Sequence, residues 1–252
     1  MLFSLFKKKK KKAQRDLPPV LVDMHSHILP GIDDGSKNME ETIIMLKEFQ
    51  SLGYKKMIMT PHIMMDFFRN TPEIVLGKLE EVKVAAKDAG IHMELEAAAE
   101  YYLDEAFIEM IESGAPLLTF GDNYVLFELS YMNESPLIDK AIFMLKSRGY
   151  KPVLAHPERY LYLGGKYQTF IDLKSKGVLL QLNILSFIGY YSKGSLDLAE
   201  RLIKDKLVAF ISSDCHKPRH IEKLIKARET ELYQDALELS LLNNSLLTNT
   251  EQ

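Results

Sequence analysis

Residues 22–36 read VDMHSHILPGIDDGS. A short apolar strand ends in two histidines one residue apart, and the aspartates Asp33 and Asp34 follow between glycines. A soluble core has no use for so many ionisable groups in so short a space, because a buried charge is tolerated only when paired or bound to metal. The stretch therefore reads as a strand that delivers side chains to a site. Other strands should deliver the rest.

Outward from this stretch, short apolar runs recur along the chain. They are LPPVLVDM (17–24), KKMIMT (55–60), HMELEAAAE (92–100), NYVLFELS (123–130), KPVLAH (151–156), GVLLQLN (177–183) and LVAFISS (207–213). Segments of helical periodicity lie between or after them, at Asn38–Gly53, Pro72–Gly90, Pro136–Gly149, Leu196–Lys206 and Glu222–Leu242. Gly53, Gly90, Gly149 and Gly177 each follow an amphipathic stretch, where a helix commonly stops. Strand and helix alternating about seven times predict a parallel sheet covered by helices. No long linker interrupts residues 20–245, so 18–252 reads as one α/β domain, most simply a (β/α) barrel. An open doubly wound sheet is the alternative, since alternation does not show closure.

Composition narrows the function classes. The 252 residues are 46% hydrophobic and 27% charged, which suits a globular protein with a full core. A net charge of −3 speaks against a nucleic-acid partner. The single cysteine, Cys215, forms no internal disulfide and fits a reducing cytoplasm. No apolar run reaches the roughly 18 residues that span a bilayer. Residues 1–17 stand apart, with six consecutive lysines, Lys7–Lys12, behind a short apolar hexamer. They read as a disordered basic tail; weak contact with the inner membrane face is the alternative.

The ionisable residues fall at strand ends. His25 and His27 follow the first run and His62 the second; Glu100 ends the third and Glu128 lies at the end of the fourth. His156 follows the fifth, and Asp214 and His216 follow the last. In parallel α/β folds the carboxyl ends of the strands share one rim, where ligands bind. Five of the seven histidines sit there, and only His92 and His220 do not. Imidazole and carboxylate together are the usual ligands of catalytic divalent ions. Without a cation, Asp34, Glu100, Glu128 and Asp214 would repel one another in a partly dry cleft.

HxH, DDG, TPH, AAEYY, the Glu of LFEL, HPERY and SDCH together resemble the PHP (polymerase and histidinol phosphatase) superfamily. More narrowly, HSHILPGIDDGS, TPH and AHPERY resemble bacterial manganese-dependent protein-tyrosine phosphatases of the CpsB/CapC, YwqE-like type, which act in capsule and exopolysaccharide regulation. The resemblance covers about residues 20–245. It implies a distorted (β/α)7 barrel with three divalent ions, most simply Mn2+, with Fe, Co or Zn as alternatives. The first ion would take His25, His27, Glu100 and Asp214, with Glu100 bridging to a second held by Glu128 and His156. The third would take Asp34, His62 and His216. Asp34 is chosen over Asp33 by its spacing from HxH. Arg159 would bind phosphate, and Arg219, just past DCH, would be a second arginine.

The implied reaction is hydrolysis of a phosphomonoester by hydroxide held between divalent ions, with Arg159 clamping phosphate oxygens. A phenolate leaving group, pKa about 10, departs readily, which favours phosphotyrosine. A catalytic cysteine is not expected. That mechanism needs an arginine six positions on, where this chain has Ile221. The implied partner is a phosphotyrosine protein, a tyrosine autokinase of polysaccharide export. The alternatives are a small-molecule phosphatase acting on histidinol phosphate and a non-catalytic phosphotyrosine-binding scaffold. The sequence leaves a homo-oligomer open.

Overall fold

A computed structural model describes residues 17–247. The lysine run at 7–12 and nearly all of the expected tail lie outside these residues. The strands are β1 (Val22–Asp23), β2 (Lys56–Met59), β3 (His62–Ile63), β4 (Glu94–Ala97), β5 (Glu100–Tyr102), β6 (Tyr124–Glu128), β7 (Lys151–Ala155), β8 (Leu179–Asn183) and β9 (Val208–Ser212). The helices are α1 (Met39–Ser51), α2 (Pro72–Asp88), α3 (Glu105–Glu112), α4 (Ile138–Ser147), α5 (Leu161–Gly164), α6 (Gln168–Ser175), α7 (Lys193–Lys204), α8 (Pro218–Arg228) and α9 (Glu231–Leu237).

All ladders are parallel, in the orders β1-β2-β4 and β3-β5-β6-β7-β8-β9. β3 continues β2 after Thr60 and Pro61, and β5 continues β4 after Ala98 and Ala99. Proline has no N–H to give a ladder, so the second strand breaks there. Counting β2/β3 and β4/β5 as two interrupted strands turns nine segments into the expected seven. The outer strands of this order, β1 and β9, are joined by something less than a ladder. Ser26 and Cys215 form one parallel bridge. The Asp23 carboxylate accepts from Ser212 Oγ (2.8 Å) and Ser213 N (2.9 Å). Asn243 replaces the missing strand contacts, donating to Val22 O (3.0 Å) and Ile211 O (2.8 Å) while accepting from Ile211 N (3.1 Å). The architecture is thus the expected distorted (β/α)7 type.

Side chains divide by alternation, as strand pleating requires. Along β6, Val125 and Phe127 join a large apolar cluster that includes helix residues, whereas Leu126 joins a smaller one. Val153 and Leu154 of β7 divide the same way. The smaller cluster gathers Val22, Ile58, Leu126, Val153 and Phe210 from β1, β2, β6, β7 and β9. The helical pattern expected over Glu222–Leu242 is two helices. Thr230 Oγ1 accepts from Tyr233 N (3.1 Å) and so caps a new start, α9.

Candidate metal centre

At the carboxyl ends of the strands the nine expected side chains meet. His25 Nε2 and His27 Nε2 each lie 3.2 Å from Glu100 Oε2, and 3.4 and 3.3 Å from Asp214 Oδ1. His156 Nε2 is 3.0 Å from Glu100 Oε1 and 4.0 Å from Glu128 Oε2. His62 Nδ1 is 3.2 Å from both Glu100 Oε2 and Glu128 Oε1, so this ring stands between two of the implied sites. On the open side, Asp34 Oδ1 faces His62 Nε2 (3.6 Å) and His216 Nε2 (3.4 Å). Asp34 is largely exposed, while His25, His27, Glu100, Glu128, His156 and Asp214 are buried.

Two of these residues carry strained backbone. His156 and Asp214 adopt left-handed φ values of 34° and 49°, which turn the chain sharply at the ends of β7 and β9. Non-glycine residues held this way cluster at functional sites.

The donors are oriented from behind. His25 Nδ1 bonds Gln181 Oε1 (2.9 Å), His27 Nδ1 bonds Asp33 Oδ2 (2.7 Å) and His216 Nδ1 bonds the carbonyl of Asp214 (2.9 Å). Each bond leaves Nε2 facing the cluster, the arrangement that supports metal-binding histidines. Asp33 is therefore a support, and Asp34 is the aspartate that faces the cluster. Two donor atoms at the centre, His62 Nδ1 and Glu100 Oε2, are buried and lie 3.2 Å from each other, yet among the described residues neither makes a well-aligned hydrogen bond. Natural proteins rarely leave such atoms bare. Divalent cations would satisfy them, and the nitrogen and carboxylate donor set fits such ions.

The electrostatics agree. Burial opposes charge on His25 and His27, yet Glu100 and Asp214 hold the pKa of His25 above its usual value, and Asp33 does so for His27. Burial and His27 both resist protonation of His62, but Glu100 and Glu128 raise its pKa to about 9. Glu100 and Asp214 are buried, yet the surrounding histidines hold both carboxyls well below the usual range. His156 goes the other way, lowered by burial and by Arg159.

Beside the cluster lies a cavity of about 300 Å³, also lined by Tyr131, Arg159, Tyr190, Tyr191, Lys217 and His220. Arg159 Nη1 donates to Asp214 Oδ2 (2.9 Å), and its guanidinium lies 4.7 Å from the Tyr131 ring centroid and 4.1 Å from that of Tyr191. Asn183 Nδ2 reaches both Asp214 Oδ2 (2.9 Å) and Tyr191 Oη (2.7 Å). Arg219 does not share this position. It is exposed on the first turn of α8 and does not line the cavity, because Lys217 and His220 on either side turn inward instead. Cys215 points away from the centre, with Sγ 3.8 Å from Met45 Sδ, and burial pushes its thiol pKa up. Sequence reasoning passed over Gln181 and Asn183, although two polar residues at alternate positions in the apolar run LLQLN were a usable signal. It also passed over Lys217 and His220, which the tight turn into α8 brings back to His216.

The family described as "Capsular polysaccharide synthesis, CpsB/CapC" matches residues 21–238. The chain belongs to the CpsB/CapC family. CapC of Staphylococcus aureus is 30% identical over 237 residues, covering 92% of each chain. The tyrosine-protein phosphatase YwqE of Bacillus subtilis is 25% identical over 238 residues, again 92% of each. A crystal structure from work on YwqE and Streptococcus pneumoniae CpsB, metal-dependent tyrosine phosphatases, matches with a TM-score of 0.77 at 25% identity, covering 92% of this chain and 97% of that one. Histidinol phosphate phosphatase of Lactococcus lactis, at 14% identity and a TM-score of 0.53, shares the fold. The CpsB/CapC match runs from before β1 to the end of α9 and includes every strand that feeds the cluster.

Proposed function

We propose that this CpsB/CapC chain is a metal-dependent protein-tyrosine phosphatase. Its substrate would be a phosphotyrosine protein, a tyrosine autokinase of polysaccharide export. Its nine donors, His25, His27, Asp34, His62, Glu100, Glu128, His156, Asp214 and His216, would hold three divalent ions, Mn2+ first among the candidates. The observation that carries the reading is the convergence of the nine donors, with buried His62 Nδ1 and Glu100 Oε2 at their centre lacking a well-aligned hydrogen bond among the described residues, beside a cavity that Arg159 lines.

Bound divalent ions would supply Lewis acidity and neutralise phosphate charge. The chain's own residues do the rest. Arg159 offers a planar fork to phosphate oxygens, and Tyr131 and Tyr191 fix its plane from the sides. Its bond to Asp214 keeps a permanent positive charge at the mouth of the cluster. Asn183 holds the far oxygen of Asp214, so that Oδ1 stays turned toward His25 and His27. A phenolate leaves with little proton donation, so the reading calls for no buried general acid.

The test pairs metal analysis with a substrate panel of phosphotyrosine peptide, histidinol phosphate and single-stranded DNA. We expect about three divalent ions per chain and turnover of the peptide above the others. Preference for histidinol phosphate, or metal-free protein as active as loaded protein, would overturn the reading.

A further inference from the structure

The wall of the cavity formed by Tyr190, Lys217 and His220 has no part in the reading above. His220 is buried, and its Nδ1 accepts the backbone N–H of His216 (3.3 Å). That nitrogen therefore carries no proton, and the neutral ring holds its proton on Nε2. Nε2 lies 3.3 Å from Tyr190 Oη, to which it donates. A hydroxyl that accepts from a ring N–H keeps its own proton for another acceptor. Among the described residues Tyr190 Oη has no second hydrogen-bond partner, and the residue lines the cavity.

The neighbouring chain holds this arrangement in place. Gly189 takes a left-handed turn (φ 68°) after β8, and the Tyr190 and Tyr191 rings pack edge to face at 5.1 Å. The GYYSKG segment thus ties one lining ring, Tyr191, to Asn183 and Arg159 and the other, Tyr190, to His220. Lys217 adds a cation to the same wall as Tyr190.

We propose that Tyr190, oriented by His220, is a substrate-positioning residue whose hydroxyl donates a hydrogen bond to a phosphate oxygen of the ester held in the cavity. The inference rests on the phosphatase reading and assigns that site a second phosphate contact in addition to Arg159. His220 acts through Tyr190 and touches no substrate itself.

The experiment uses the full, metal-loaded chain. Binding of inorganic phosphate is measured by calorimetry, and turnover of a phosphotyrosine peptide by phosphate release. Removing one hydrogen bond to a charged acceptor costs roughly a factor of 10 to 150 in binding, so Tyr190→Phe should raise the Kd for phosphate and the KM for peptide by about that factor. Metal content and Tm should stay at wild-type values. His220→Leu should match Tyr190→Phe, His220→Gln should restore most of the loss, and the double variant Tyr190→Phe/His220→Leu should lose no more than either single one. Wild-type phosphate affinity in Tyr190→Phe would overturn the inference, as would additive losses in the double variant. A wild-type chain that binds phosphate but hydrolyses no ester would sink the phosphatase reading alone. One that binds no phosphate would sink both.

Discussion

At the scale of single residues, the aspartate that does not face the cluster is the more instructive of the pair. Asp33 accepts from His27 Nδ1 (2.7 Å), from Gly35 N (2.9 Å) and from His62 N (3.1 Å). One carboxylate therefore sets the ring of His27 and ties down the strand start that carries His62. Replacing it by Asn keeps the size and removes the charge that orients His27. Loss of such a support typically costs 10- to 100-fold in metal affinity, so Asp33→Asn should bind Mn2+ weaker by about that factor in competition with a chelator. Unchanged affinity would mean that His27 needs no outer partner. The sequence displays Asp33 and Asp34 side by side, and spacing picked out Asp34. Only the path of the loop reveals the role of Asp33, because side-chain direction there depends on a turn rather than a regular element. Arg219 teaches the same lesson. Its position just beyond DCH pointed to the site, but the start of α8 at Pro218 sends it to solvent and brings His220 inward.

At the scale of elements, the loop after β1 depends on one glycine. Ser36 N donates to His27 O (2.9 Å), which draws Gly35 against the strand end so closely that a Cβ there would sit 1.9 Å from His27 O and 2.6 Å from His27 Cβ. Both neighbours belong to the strand end that carries the site, and backbone cannot yield as a flexible side chain would. Gly35→Ala should therefore destabilise the protein by about 1–3 kcal/mol or more, as overpacking does, and weaken metal binding as His27 is displaced. Urea unfolding of the metal-free variant checks the first effect and metal titration the second; a wild-type midpoint would refute the close approach. Much at this scale was legible. Each of the seven apolar runs contains a strand, because buried parallel strands leave near-continuous apolar segments. The breaks within the second and third strands were not legible, since Ala98 and Ala99 look no different from their neighbours and Pro61 reads as a strand end. The division between α8 and α9 escaped for a related reason. The apolar periodicity carries across Thr230, and only the capping bond shows that a helix starts again.

At the scale of the whole molecule, the fold gathers positions from 25 to 216 into one buried cluster, and the charge state of that cluster follows from what fills it. In metal-free protein the carboxylates hold His25, His27 and His62 protonated above their usual range, with His62 at about 9. A histidine whose pKa is raised by folding contributes stability that is fully present below its unfolded value near 6.5 and is lost as pH rises through its folded value. For His62 the window is pH 6.5 to about 9, and a shift of that size is worth on the order of 3 kcal/mol at most. Glu100 and Asp214 are shifted downward and stay ionised throughout the window, and His156, lowered as well, stays neutral. They do not offset the loss. Bound metal reverses the sign, because each ion displaces imidazole protons and binds more tightly as those protons become easier to remove. Unfolding midpoints taken from pH 6.5 to 9 should therefore fall for the metal-free chain and rise for the chain with Mn2+ present at fixed free concentration. Loading at pH 7 should also release protons, read as a dependence of the calorimetric heat on buffer ionisation enthalpy. Parallel slopes with and without metal would show that the histidines at the strand ends are neutral before any ion arrives, and that the carboxylates around them balance their charge in some other way.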